Sequence, residues 1–141
     1  MNRWPPAPQI ARETEGSLVM VGHSDCETSR LMLGVLERLH RRRTRKVAVT
    51  AILQDEPEEA RALTEELGLT LPLVLDRDPY PLTAPLGLTG VPVTFLVAPD
   101  GGVREEVAAF RRQDVERLAA LLGVPGPLFE PGETVPALQP G

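Results

Sequence analysis

The feature that most constrains the fold is a short apolar run, Ser17 to Gly22, which a polar break separates from a helical pattern. A run that is apolar at nearly every position is typical of a strand buried on both faces of a parallel sheet. From Cys26 or Glu27 to about Arg43, apolar side chains recur at the spacing of a helix. The pattern therefore predicts a strand that passes into a helix. It also places Cys26, the single cysteine of the 141 residues, in the first helical turn.

This position makes the Cys26 sulfur the candidate reactive atom of the chain. The first turn of a helix has unpaired backbone N–H groups and a partial positive charge, and both favour a thiolate over a thiol. The Ser29 hydroxyl would add to this effect, whereas Asp25 and Glu27 place negative charge nearby and oppose it. A protonated His23 would stabilise a thiolate, although an ordinary surface histidine explains that residue equally well. The sequence leaves the balance of these effects open.

The rest of the chain continues the alternation of strands and helices. The predicted elements are a strand over 46–53, a helix over about 57–67, a short strand or edge segment over 71–75, a short broken helix within 76–88, a strand over about 90–98, its antiparallel partner over 103–110 and a helix over 114–122. Alternating strands and helices followed by an antiparallel pair predict a mixed sheet that is covered on both faces.

Composition and length favour one domain with loose ends. Residues 17–123 carry the periodic patterns and are long enough to bury a continuous core. Residues 1–16 contain three prolines and little periodicity, which predicts an extended arm that Trp4 either fixes to the body or does not. Proline and glycine recur through residues 124–141, which predicts an extended or disordered tail.

Charge and residue types argue against several kinds of partner. The net charge of −5 argues mildly against general binding to nucleic acid or to an anionic membrane surface. No stretch approaches the roughly 20 apolar residues of a membrane span, and the N-terminus lacks the apolar segment of a secretion signal. We therefore expect a cytoplasmic protein, either a monomer or a weak dimer. One cysteine and two histidines fall short of a structural zinc site, so we expect no metal and no bound cofactor.

Two stretches together carry a resemblance to a known family. One is the apolar strand that leads into Cys26-Glu27-Thr28-Ser29-Arg30, and the other is Gly90-Val91-Pro92-Val93-Thr94-Phe95, which an Asp100-Gly101 turn follows. In this order and spacing they resemble the thioredoxin-like superfamily, with a closer match to its TlpA-like and cytochrome-biogenesis-type thiol-disulfide oxidoreductases. The resemblance covers roughly residues 17–123. It implies a three-layer α/β/α sandwich in which helices flank a mixed central sheet.

The same resemblance implies the residues of a site. Cys26 matches the nucleophilic cysteine of the family, and Pro92 matches a cis-proline whose loop packs against the sulfur. Val91 matches the residue whose backbone pairs with an extended substrate. Ser29 stands where the family has its second, resolving cysteine, so the motif here is Cys-x-x-Ser and Ser29 is counted with the catalytic positions.

Further residues of the motif are expected to contact the substrate, namely Asp25, Glu27 and Thr28. Asp25 replaces the tryptophan that usually precedes the first cysteine, and the usual proline between the two cysteines is absent. Without a resolving thiol, Cys26 could attack a disulfide but could not expel the mixed disulfide from within the site. Release would need an external thiol such as glutathione.

Three functions follow from these observations. The first is a monothiol thiol-disulfide oxidoreductase that acts on protein or small-molecule disulfides through Cys26. The second is a thioredoxin-fold binding or scaffold module that has lost catalysis. The third is a peroxiredoxin-type thiol peroxidase, which the sequence favours less because His23 and Val19 stand where that family has Thr or Ser and Pro. A glutaredoxin-like iron–sulfur role is weaker still.

Overall fold

The computed structural model describes residues 3–5 and 10–141 of the chain. Within them it has three helices, one 3-10 turn and seven short strands, and the bounds of all of these follow in chain order. They are β1 (Ser17–Gly22), α1 (Glu27–Arg42), β2 (Ala48–Leu53), α2 (Pro57–Leu67), β3 (Leu73–Leu75), the 3-10 turn (Ala84–Leu86), β4 (Val93–Val97), β5 (Val103–Ala108), β6 (Phe110–Arg111), α3 (Arg112–Leu121) and β7 (Leu138–Gln139). The predicted order of strands and helices is confirmed.

The main sheet has five strands in the order β3-β2-β1-β4-β5. Strands β1, β2 and β3 are parallel, while β4 runs antiparallel to both β1 and β5. Val21, near the end of β1, lies opposite Val93 at the start of β4. The segment that follows β1 therefore lies beside the segment that precedes β4. This register places the Cys26 region and the Val91-Pro92 region at the same end of these two neighbouring strands.

Side chains of β1 alternate between two apolar clusters, one on each face of the sheet. Leu18 and Met20 belong to a large cluster that holds the buried residues of all three helices. Val19 and Val21 face a smaller cluster, which the N-terminal arm and the segment around the 3-10 turn cover. Three prolines between residues 76 and 88 prevent a long helix on this second face, as the sequence predicted. The mixed α/β class is thus confirmed.

The N-terminal arm is fixed to the second face by Trp4. Its ring lies 5.1 Å from the ring of Phe95, centroid to centroid, and its backbone N–H donates to the Gly101 carbonyl. Trp4 therefore does attach the described part of the arm to the body. The remainder of the predicted arm, residues 1–2 and 6–9, lies outside the described residues.

The hairpin partner of β4 ends two residues earlier than the sequence predicted. Strand β5 ends at Ala108, and Ala109 adopts a left-handed backbone with φ of 58°. The Ala109 N–H donates to the Pro92 carbonyl at 2.8 Å. Strand β6 and helix α3 follow directly, so the helix begins at Arg112 rather than at residue 114.

The C-terminal segment, which the sequence predicted to be extended or disordered, is packed on the body. Leu128 and Phe129 are buried in the large cluster, and β7 pairs with β6. Arg38 on helix α1 makes an ion pair with Glu133, and this pairing holds the pKa of the Glu133 carboxyl at about 2. The proline and glycine content correctly indicated that the segment lacks helical or strand periodicity. It did not indicate that a few apolar residues in such a segment are enough to anchor it.

Replacing Phe129 by alanine is expected to lower the free energy of unfolding by about 3 kcal/mol, because it removes a large buried side chain and leaves a cavity. The Phe129 ring lies edge-on to Phe110 at 6.4 Å and is also contacted by the guanidinium groups of Arg38 and Arg112. Urea denaturation measures the loss. Phe129→Leu, which keeps most of the volume, should lose clearly less. A change below about 1 kcal/mol for the alanine variant would mean that the tail is not part of the core.

Helix α1 is joined to the segment before β3 by the buried carboxylate of Glu37. It accepts hydrogen bonds from the Thr70 N–H at 2.8 Å, the Leu71 N–H at 3.1 Å and the Thr70 hydroxyl, and it pairs with Arg41. Burial by itself would raise the pKa of Glu37, but the donors from Thr70, Arg41 and Leu71 outweigh burial and lower it from 4.5 to about 2.

The lowered pKa of Glu37 predicts how acid affects stability. Because the folded chain holds the carboxylate more strongly than the unfolded chain, its contribution is complete above about pH 4.5 and is lost as the pH falls towards 2. Glu37→Gln should therefore lower the free energy of unfolding by about 2 kcal/mol at pH 7. That difference should shrink through this acid range in urea denaturation. Glu66→Gln, which alters an exposed ion pair, should change stability by less than about 1 kcal/mol. Equal effects of the two substitutions would contradict the assignment.

Candidate active site

The sulfur of Cys26 lies between the start of helix α1 and the loop before strand β4. Cys26 is the N-cap of α1, with an extended backbone (φ −96°, ψ 117°). Its own N–H donates to the His23 carbonyl at 3.0 Å, which closes a tight turn after β1. Its Sγ accepts the Ser29 N–H at 3.4 Å. The predicted position of Cys26 at a helix start is confirmed.

The loop before β4 meets the sulfur from the opposite side. The Val91 carbonyl oxygen lies 3.6 Å from the Cys26 Sγ, within reach of a hydrogen bond from the thiol. The Val91–Pro92 peptide bond is cis, and the Pro92 carbonyl is held by Ala109 from the neighbouring strand end. Asp78–Pro79 is a second cis bond, which the sequence did not indicate. Cys26, Val91 and Pro92 are therefore brought together although about 65 residues separate them in the chain.

Ser29 lies beneath the sulfur and is fully buried. Its hydroxyl oxygen accepts the His23 N–H at 3.2 Å, while its backbone N–H is the group that reaches the Cys26 Sγ. The sequence suggested that the hydroxyl would act on the sulfur. The structure instead gives that contact to the backbone, because the hydroxyl is already engaged in holding the preceding loop.

Sequence reasoning missed a buried carboxylate, Asp55, below the same loop. It accepts hydrogen bonds from the Ser24 N–H at 3.1 Å and from the Ser24 hydroxyl, and its side chain is completely buried. The His23 Nε2 lies 3.7 Å from Asp55, while the His23 Nδ1 accepts the Asp25 N–H at 3.0 Å. The His23 Nδ1 is therefore engaged by the Asp25 N–H, and the Nε2 faces Asp55. From the sequence, Asp55 was assigned only to the start of helix α2.

The charged residues beside the sulfur differ in their surroundings. Asp25 and Glu27 are exposed, and the Asp25 side chain is 85% accessible to solvent. Arg30, which stands one turn further along α1, pairs with Glu66 of helix α2. The ion pair with Glu66 thus balances the charge of Arg30, and the exposed Asp25 and Glu27 make the immediate rim of the site acidic. The described residues contain no cluster of three or more His, Cys, Asp or Glu side chains that could hold a metal ion.

Thr28 lies in the first turn of α1 and is buried by the C-terminal segment. Its hydroxyl donates to the Pro140 carbonyl and accepts from the Gln139 Nε2 at 3.0 Å. Gly141 follows and lies against Val91. Of the residues expected to contact substrate, Asp25 and Glu27 are exposed. Thr28 is covered, and the Val91 carbonyl lies against Gly141. Nothing in the proline- and glycine-rich tail indicated this cover, since its contacts are made by a side-chain amide and by backbone groups.

Comparison with known proteins identifies the fold. No protein-family model and no curated protein matches the sequence. Solved structures do match. The thioredoxin domain of a thiol-disulfide oxidoreductase from Bacteroides vulgatus is 17% identical over 77% of this chain and 80% of its own, with a TM-score of 0.66. StoA from Bacillus subtilis is 15% identical over 77% of this chain and 83% of its own, also with a TM-score of 0.66.

A third match is a secreted disulfide oxidoreductase of Mycobacterium tuberculosis that is homologous to DsbE of Escherichia coli. It is 14% identical over 78% of this chain and 84% of its own, with a TM-score of 0.65. At this level of identity the likeness shows the fold. The chain has a thioredoxin-like fold, as the sequence resemblance implied. Within the described residues, no helix combines the length and apolarity that crossing a bilayer requires.

Proposed function

We propose that the protein is a monothiol thiol-disulfide oxidoreductase in which Cys26 is the nucleophile. The observation that supports this most directly is the meeting of the single cysteine with the Val91–Pro92 loop, at 3.6 Å from Sγ to the Val91 carbonyl. The fold that this chain shares with thiol-disulfide oxidoreductases also supports a redox role. In the proposal Val91 and Pro92 present the substrate to the sulfur, and Ser29 holds the loop and cap that position it.

The proposed reaction has two exchange steps. The Cys26 thiolate attacks one sulfur of a disulfide R–S–S–R′, so that a Cys26–S–S–R bond forms while R′–S⁻ leaves and takes up a proton. An external thiolate R″–S⁻ then attacks the sulfur of R, which forms R–S–S–R″ and returns Cys26 as a thiolate. These two steps leave the mixed disulfide R–S–S–R″. A second external thiolate R″–S⁻ then attacks its R″ sulfur, which forms R″–S–S–R″ and releases R–S⁻, so that two molecules of thiol are oxidised for each substrate disulfide that is reduced. The described site offers Ser29 where an internal resolving thiol would stand, so the second step depends on the external thiol.

The external thiol is proposed to be glutathione or a compound of the same kind, acting as a co-substrate rather than as a bound cofactor. The proposal includes a cytoplasmic location, because low-molecular-weight thiols keep protein thiols reduced in that compartment and are available there for the second step. It requires neither a metal ion nor a nucleotide.

The test is the reduction of 2-hydroxyethyl disulfide by glutathione, measured with and without the protein, together with the pH dependence of Cys26 alkylation by iodoacetamide. The proposal expects a rate that rises with protein concentration and disappears when glutathione is omitted. Because the chain has one cysteine, alkylation reports on Cys26 alone. No protein-dependent reduction, together with an alkylation profile like that of free cysteine, would exclude the proposal.

Two observations favour a second candidate, a thioredoxin-fold binding module without catalysis. The C-terminal residues already occupy space beside Val91, and the second cysteine of the related motif is absent. In such a module Cys26 would be a bystander, and its replacement would leave every function unchanged. The rates of 2-hydroxyethyl disulfide reduction by the wild-type protein and by Cys26→Ser separate the two candidates.

A further inference from the structure

Residues 138–141 lie between helix α1 and the loop before β4, and we call them the C-terminal strap. The strap begins as strand β7, which pairs with Phe110–Arg111 of β6. The N–H of Arg112 also donates to the Ala137 carbonyl at 2.9 Å, just before the strap. These backbone bonds direct the chain from the base of helix α3 back towards the start of helix α1.

Thr28 fixes the strap to helix α1. Its hydroxyl donates to the Pro140 carbonyl and accepts from the Gln139 Nε2 at 3.0 Å, so both of its hydrogen-bonding functions are used. Thr28 is only 3% exposed, although it stands two residues after the half-exposed Cys26. The strap is what covers it.

Gly141 completes the strap against the loop before β4. A Cβ atom at this position would overlap the Val91 carbonyl oxygen and lie 3.5 Å from the Pro92 Cδ, so only glycine fits this closely. The same Val91 carbonyl is 3.6 Å from the Cys26 Sγ. The strap therefore bridges Thr28 and Val91 and lies directly beside the contact between the sulfur and the loop.

We infer that the strap determines the substrate class of Cys26, admitting low-molecular-weight disulfides and thiols and excluding extended polypeptides. An extended peptide is bound by hydrogen bonds to a free backbone edge, and the free backbone next to the sulfur is the Gly90–Val91 segment. Gly141 already lies against the Val91 carbonyl of this segment. A small disulfide needs only access to the sulfur, and Cys26 is partly exposed. This inference rests on the proposed oxidoreductase function.

The strap can be removed without removing the anchors of the tail. Phe129 and Glu133 hold the preceding segment to the core and to Arg38, whereas Leu138 is 52% exposed and β7 has only two residues. Deletion of residues 138–141 is therefore expected to leave the fold intact. Thr28→Val provides a second variant of full length, because it keeps the shape of the side chain and removes both bonds to the strap.

The experiment compares insulin and 2-hydroxyethyl disulfide as substrates in the presence of glutathione. For the full-length protein, reduction of 2-hydroxyethyl disulfide should be readily measured and reduction of insulin weak. Deleting the strap should raise the insulin rate by about tenfold or more and change the small-disulfide rate by less than about threefold, because only an extended substrate needs the covered backbone. Thr28→Val should move the ratio in the same direction. Thr134→Ala, an exposed change in the tail outside the strap, should leave it unaltered.

Two results would overturn the inference. One is equal use of both substrates by the full-length protein. The other is an unchanged ratio after deletion, in a variant whose circular dichroism and thermal midpoint match those of the full chain. In both cases the small disulfide is still reduced, so the proposed function survives. A failure of the proposed function looks different, because neither substrate is then reduced by any variant.

Discussion

Replacing Cys26 by serine is expected to reduce the glutathione-dependent reduction of 2-hydroxyethyl disulfide to the uncatalysed rate, a loss of roughly a thousandfold or more if Cys26 is the nucleophile. No other cysteine is present to take over. The measurement is the protein-dependent rate at fixed glutathione, followed over a range of protein concentrations.

The fold offers an unusually clean control for this substitution. Cys26 is the N-cap of helix α1, and its side chain accepts the Ser29 N–H. Serine is among the preferred N-cap residues, so Cys26→Ser should retain the cap and the thermal midpoint. Cys26→Ala removes both the thiol and the cap, and it should in addition lose about 1 kcal/mol of stability. Equal inactivity of the two variants with different stability would assign the loss to chemistry. Full activity of Cys26→Ser would contradict the assignment of Cys26 as the nucleophile. An absence of protein-dependent reduction by the wild-type protein would instead favour the binding module.

The order of elements could be predicted from the sequence for physical reasons, whereas the meeting of Cys26 with Pro92 was implied by the family resemblance. Buried parallel strands are apolar throughout, and the helices repeat their apolar residues at a different period, so β1 and α1 were evident. The predicted bounds of β1, residues 17–22, agree with the structure. Once β1 and β4 are neighbours, the residues that follow one and precede the other must lie together.

Other parts of the site could not be predicted, because they depend on contacts between distant segments. Asp55 follows an apolar strand, as many exposed acids do, and only the folded chain shows that the loop of Ser24 covers it. The strap has no periodic pattern, since Pro140 and Gly141 act through backbone atoms. Local sequence patterns report which face of an element is buried, and they carry little information on contacts of this kind.

Replacing Ser29 by cysteine is expected to convert the site from one that needs an external resolving thiol into one that supplies its own. Ser29 stands three residues after the N-cap Cys26, and its N–H lies 3.4 Å from the Cys26 sulfur. Cysteines at this separation in a first helical turn have Cα atoms about 5–6 Å apart, which a disulfide can span. Gly22 lacks the Cβ that would lie 3.0 Å from the Ser29 hydroxyl, which leaves room on that side for the larger sulfur.

The reagent 5,5′-dithiobis(2-nitrobenzoate) measures the difference directly. With the wild-type protein, Cys26 should release one thionitrobenzoate and keep the other as a mixed disulfide until glutathione is added. With Ser29→Cys, the new thiolate should attack the Cys26 sulfur, form a disulfide within the first turn of α1 and release the second thionitrobenzoate without added thiol. A thiol held within the same turn acts at a very high effective concentration, so this release should be at least about a hundredfold faster than in the wild type. Ser17→Cys adds a thiol at the opposite end of β1 and should leave the mixed disulfide intact. A mixed disulfide that persists equally in Ser29→Cys would show that residue 29 cannot reach the sulfur for exchange, and the assignment of Ser29 to the resolving position would then fail.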